Sequence, residues 1–88
     1  MTAERVAKIT EVLTDALEPI ALEVEDESHL HAGHAGARDG RGHFRVTIVS
    51  SQFEGLSPIK RHRLVFAAVG GLMDTDIHAL AIDARTPD

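Results

Sequence analysis

The sequence predicts a small α+β domain, ordered α-β-β-α-β, with two helices lying on one face of a three-stranded sheet. Three observations carry that expectation. Apolar residues recur at three- and four-residue spacing in two segments and alternate in the others, which separates helices from strands. The 88 residues leave room for one domain, 1–88, and no second. The chain is 43% hydrophobic with three phenylalanines and no tryptophan or tyrosine, so its core must be aliphatic. It contains no internal repeat and no linker long enough to divide it.

Thr2 is placed to cap the first helix, and Glu4 in the first turn complements the helix dipole. Val6, Ile9, Val12 or Leu13, and Ala16 or Leu17 form its apolar stripe, and Pro19 ends it. Ile20, Leu22 and Val24 then alternate with Ala21, Glu23 and Glu25 as a half-buried strand. From Glu27 to Gly42 the periodicity vanishes and glycines gather, marking a long polar connection. Phe44, Val46 and Ile48 face one way and Arg45 and Thr47 the other in a second strand. After a turn over Gln52–Leu56, Ser57-Pro58 starts the second helix, with a capping hydroxyl and proline at the first helical position. Its expected buried stripe is Ile59, His62, Val65 or Phe66, Val69, and Leu72 or Met73, with Gly70-Gly71 weakening the last turns. Ile77–Ala84 is a third, largely apolar strand, and Pro87 follows it.

Composition excludes several chemistries. Without cysteine there is no disulfide framework, no thiol nucleophile, and no zinc or iron–sulfur site built from this chain's own thiolates. Nine Lys and Arg against fourteen Asp and Glu give a net charge of −5, which disfavours non-specific attraction to nucleic acid or anionic membrane. No segment approaches the ~18 apolar residues of a membrane span. Met1–Arg5 has neither signal-peptide nor transit character, so a cytoplasmic location is expected. No Ser–His–Asp or paired-carboxylate arrangement stands out, and an enzyme is not expected.

Six histidines are the unusual part of the composition. His29, His31 and His34 crowd the run HLHAGHAG, where mobile imidazoles can reach a metal, although the spacing matches no closed zinc motif. His78 opens the third strand and would be held rigidly. A fixed ligand and a swinging one suit a labile site. His62 falls on the expected core side of its helix and reads as a buried, hydrogen-bonded structural residue. His43 faces away from the Phe44 stripe, either as a support for the loop or simply exposed. Lys60, Arg61 and Arg63, with Arg41 and Arg45, are the one basic concentration. A solvated helix face is its default explanation and a nucleic-acid contact the alternative. Gly33–Gly36 matches a GxxG signature, but between two strands rather than two helices, so it is not a nucleic-acid clamp.

The run HFRVTIVSSQFEGLSPIKRHRLVFAAV, followed by DIHALAIDARTP, resembles the BolA family over nearly the whole chain. The Phe-x-Gly turn at Phe53–Gly55, the Arg61-His62-Arg63 helix and the His78-Ala79-Leu80 strand fall in the family's order and spacing. EDESHLH matches its Glu-Ser-x-x-His segment and places His31 at the loop-ligand position. The resemblance implies a class II KH-like fold with the second and third strands parallel. It also implies partnership with a monothiol, Cys-Gly-Phe-Ser-type glutaredoxin in iron–sulfur cluster assembly, transfer or regulation. A 2Fe–2S cluster, held also by the glutaredoxin and its glutathione, would bridge the two proteins. This chain would contribute His78 and His31, with His34 and His29 as alternative loop ligands. Two imidazoles on one iron resemble Rieske ligation. Alone, the chain is expected to be a monomer or weak homodimer without a stable cluster. Two other functions are open to this sequence: a DNA-binding transcriptional regulator using Lys60, Arg61 and Arg63, and a histidine-loop zinc or nickel carrier.

Overall fold

A computed structural model describes residues 2–28 and 42–87; the expectations for His29, His31 and His34 fall outside them. The elements are α1 (Thr2–Leu17), β1 (Ala21–Asp26), β2 (Gly42–Val49), a 3-10 turn (Ser51–Phe53), α2 (Pro58–Val69), α3 (Leu72–Thr75) and β3 (Ile77–Arg85). The sheet order is β1-β2-β3, antiparallel in the first pair and parallel in the second. Parallel neighbours need a crossover, and the segment carrying α2 and α3 supplies it. The fold is a three-stranded mixed sheet with helices on one face, as the sequence predicts.

Period-two alternation builds the inner face of the sheet. Leu22, Ile48 and Ala84 form one cross-strand row, and Val24, Val46 and Ile82 the next. Ile9, Leu13 and Leu17 of α1 and Val65 and Val69 of α2 close over this face with Phe44, Phe53 and Ile77. The outer face carries Glu23–Thr47–Asp83 and Glu25–Arg45–Ala81 in register. α1 stops at Leu17: Glu18 takes a left-handed φ of 46°, its N–H bonded to the Thr14 carbonyl at 3.1 Å, and Pro19 follows.

Three expectations are corrected. α2 is rotated about its axis relative to the predicted stripe. Val65 and Val69 are buried with Leu64 and Ala68 beside them, whereas Ile59 is 66% exposed, Phe66 is 40% exposed and His62 is exposed. At 100° per residue the core direction lies nearly opposite Ile59, so His62 is not a buried structural histidine. Ile20 is 71% exposed, because only its backbone is used, bonding to the Val49 carbonyl at 2.9 Å. Finally, α2 does not run on to Met73. Gly70, at φ 50°, a region that L-residues rarely occupy, caps it by donating its N–H to the Phe66 carbonyl, and α3 starts afresh at Leu72.

Two buried polar residues tie distant parts of the chain together. Ser50 Oγ donates to the Leu17 carbonyl at 2.6 Å and accepts from the Gln52 N–H at 3.1 Å, joining the end of α1 to the end of β2. Asp76 receives Lys8 Nζ at 3.2 Å, with Arg5 Nε at 4.0 Å, and joins α1 to the start of β3. The Thr75 side chain is the largest influence holding the Asp76 carboxyl below the usual range; burial opposes it, and Lys8 and then Arg5 add to it. A depressed carboxyl stabilises the fold above its unfolded value, about 3.9, and ceases to do so as pH falls through the folded value. Asp76→Asn is therefore expected to melt lower than the parent at neutral pH. That gap should close below about pH 3.9, and a thermal series against pH measures it.

Candidate functional site

The strand histidine is placed by the way β3 begins. Asp76 closes α3 with its N–H on the Leu72 carbonyl at 2.8 Å, and Ile77 is wholly buried, so the strand is anchored on both sides of its first residue. His78 comes next and is exposed. The β2–β3 register is irregular at this point. Gly42 pairs with Ile77 and His43 with Ala79, which leaves His78 as the extra residue of a bulge. Bulges re-aim side chains, and this one sets the His78 ring against His43, with centroids 5.2 Å apart and planes tilted by 49°.

His43 is held as firmly. Its N–H donates to Ser28 Oγ at 3.0 Å, and its carbonyl accepts the Glu27 N–H at 2.7 Å. Ser28 is fixed in turn by an N–H bond to Asp26 Oδ1 at 2.7 Å. Gly42 makes the close approach possible: a Cβ there would lie 2.7 Å from Ser28 Oγ and 2.8 Å from Phe44 Cε2. The Gly42 N–H also donates to the Asp76 carbonyl at 2.9 Å. The two imidazoles thus stand on a braced platform where β2, β3 and the end of β1 meet.

Beside it a shallow cleft of about 300 Å³ opens on the sheet, walled by His43, Arg45 and Glu27 and floored in part by Ala79 and Ala81. The register places these alanines next to His43 and Arg45, and their small side chains leave the space. Arg45 Nε pairs with Glu27 Oε2 at 3.1 Å along one wall. Two imidazoles without a thiol make an incomplete donor set. Among the described residues no group of three or more His, Cys, Asp or Glu could hold a metal ion.

The structure brings His43 to His78, a pairing absent from the sequence analysis. Periodicity shows which way His43 points, but not that a parallel, bulged register sets it beside the start of β3. Of the basic residues, Lys60 and Arg63 are exposed. Arg61 is used structurally: Nε donates to the Leu56 carbonyl at 3.0 Å and Nη1 to the Ala84 carbonyl at 3.2 Å, pinning the start of α2 to the end of β3. Arg61→Ala is expected to cost about 1.5–3 kcal/mol, the range for hydrogen bonds from a charged group. Lys60→Ala and Arg63→Ala should each stay within about 0.5 kcal/mol of the parent. Urea unfolding of the three variants measures the difference.

The described residues thus form a small mixed-sheet domain that presents two braced histidines where β2 and β3 meet, in a chain without cysteine. The chain belongs to the BolA-like protein family, whose model matches residues 13–88. It is 52% identical to human BolA-like protein 1 over 81 residues, 92% of this chain and 57% of that protein. It is 46% identical to the SufE-like protein 1, chloroplastic/mitochondrial, of Arabidopsis thaliana over 85 residues, 91% of this chain and 23% of that protein. The solved BolA domain of SufE1 from Arabidopsis thaliana superposes with a TM-score of 0.83 at 44% identity, covering 94% of this chain and 92% of that one. The chain thus spans little more than half of the human relative and under a quarter of the SufE-like one. No helix among the described residues is long and apolar enough to cross a membrane.

Proposed function

We propose that this chain is a non-enzymatic adaptor that binds a monothiol glutaredoxin and co-ligates a 2Fe–2S cluster bridging the two proteins, in cluster assembly, trafficking or iron regulation. The observation that carries this reading is His78, exposed on a braced bulge beside His43 in a chain without any thiolate. Neutral imidazole is a good iron ligand, and two of them can replace two thiolates on one iron. His78 would be one donor and a histidine of the 29–41 segment, His31, the other, with His34 and His29 as substitutes. His43 would set the plane of the His78 ring. The glutaredoxin and its glutathione would supply the thiolates. Kinship with a BolA domain carried by a SufE-like protein supports a role connected with iron–sulfur clusters.

Anaerobic cluster reconstitution, followed by visible absorption and circular dichroism, tests the reading. The chain alone should acquire no stable cluster. The chain mixed with a monothiol glutaredoxin and glutathione should give a one-to-one complex whose dichroism differs from that of the glutaredoxin alone. A full cluster on the lone chain, or a glutaredoxin spectrum unaltered by adding it, would contradict the proposal.

A further inference from the structure

α2 is apolar on two sides, and the fold uses one of them. Val65 and Val69 face the core, while Ile59, Arg63 and Phe66, at i, i+4 and i+7, form a stripe on the opposite side. Ile59, at 66% exposure, and Phe66, at 40%, stand outside the core cluster. Lys60 flanks the stripe on one side and His62 on the other, all exposed.

The charges on this face do not serve the helix. α2 contains no acidic residue, so Lys60 and Arg63 have no partner within it, and Lys60 sits in its first turn, where the dipole disfavours a cation. Neither enters an ion pair with another described residue. A local rule broken without local compensation marks a surface kept for something else.

From these features we propose that the outer face of α2 docks an acidic segment of a protein partner, one that places an apolar side chain between Ile59 and Phe66 and carboxylates against Lys60 and Arg63. Charge complementarity fixes the partner's sign, since Lys60 and Arg63 are exposed on this face and α2 carries no acidic residue. Its apolar residues fix the class. Exposed aromatic and aliphatic anchors beside an arginine are the usual centre of a protein interface, and the i, i+4, i+7 spacing suits a helical ligand. Phosphate backbones gain nothing from Ile59 or Phe66, and with Arg61 committed to two carbonyls the face offers two cations.

This surface begins well away from the histidine platform. Arg61 ties the start of α2 to Ala84, six residues along β3 from His78, or about 20 Å at strand rise. The Ile59 end of the stripe is therefore far from His78, and the inference does not rest on the glutaredoxin reading.

The test is a nitrogen-15 NMR titration of the full chain with three probes: a synthetic amphipathic helical peptide with leucines at i, i+4 and i+7 flanked by glutamates, the same peptide with lysines for glutamates, and a short DNA duplex. The acidic peptide should shift amides across residues 59–67 and leave 77–79 unmoved, while the lysine peptide should not bind. Ile59→Glu with Phe66→Ser should weaken binding about tenfold or more, the loss expected for interface anchors. Lys60→Glu with Arg63→Glu should reverse the preference between the peptides. None of the four positions belongs to the buried core, so each variant should stay folded, which its dispersed amide spectrum checks. Both double variants should keep the cluster spectrum with glutaredoxin; its loss would place glutaredoxin itself on α2 and overturn the claim of a second partner. Equal binding of the two peptides, no binding, shifts centred away from α2, or preference for the duplex would each overturn the proposal.

Discussion

His78→Ala is expected to abolish the native dichroism of the cluster-loaded pair with glutaredoxin, or to leave a distinctly different and labile one. No neighbouring residue of β3 can take its place: Ile77 is buried in the core, Ala79 carries no donor, and the bulge that presents His78 holds one residue. Loop ligands should behave differently. His31→Ala should be partly rescued by His34 and His29, giving a shifted spectrum and faster cluster loss. Removing all three should then be far worse than removing one, the non-additivity expected of ligands that substitute for one another. His43→Ala should shift the spectrum without abolishing it, since the ring contact orients His78. Spectra and cluster-loss rates of these variants provide the comparison. A silent His78→Ala together with total loss in His31→Ala would reverse the assignment.

Phe53→Ala should be the most damaging single truncation of the fold, at about 3–5 kcal/mol. Phe53 is fully buried and ends the 3-10 turn between β2 and α2, with its N–H on the Ser50 carbonyl at 3.2 Å and its carbonyl accepting from Leu56 at 3.1 Å. It is one of two phenylalanines inside an otherwise aliphatic core, so few neighbours can move in to fill the cavity. Domains of this size commonly have about 5–15 kcal/mol in total, so the variant should unfold at much lower urea and be partly unfolded at physiological temperature. A midpoint shift no larger than that of Lys60→Ala would show that the turn does not fasten the core.

The order of elements was legible because each has one dominant period. α1, β2 and β3 each show an apolar pattern on one side, and Ser57-Pro58 marks the start of α2 by local chemistry alone. The rotation of α2 was not legible. Ile59 and Phe66 on one side and Val65 and Val69 on the other give its pattern two phases, and only packing against α1 and β3 selects between them. Ser50 and Asp76 escaped for another reason: their partners Leu17 and Lys8 are 33 and 68 residues away, and no local pattern encodes such a bond. The site divides in the same way. His78 could be singled out from its place at the head of an apolar strand. Its pairing with His43 depends on a parallel register and a bulge, both set by tertiary contacts.

The shared-ligand claim is tested most directly by labelling the histidines of this chain alone with nitrogen-15, loading the cluster between it and unlabelled glutaredoxin, and reducing the complex for pulsed electron paramagnetic resonance. The account predicts hyperfine coupling from two nitrogen-15 imidazoles on one iron, with the coupling from the strand histidine lost in His78→Ala. An intact bridging cluster without nitrogen-15 coupling would mean that every donor comes from the partner and its glutathione, and would contradict it.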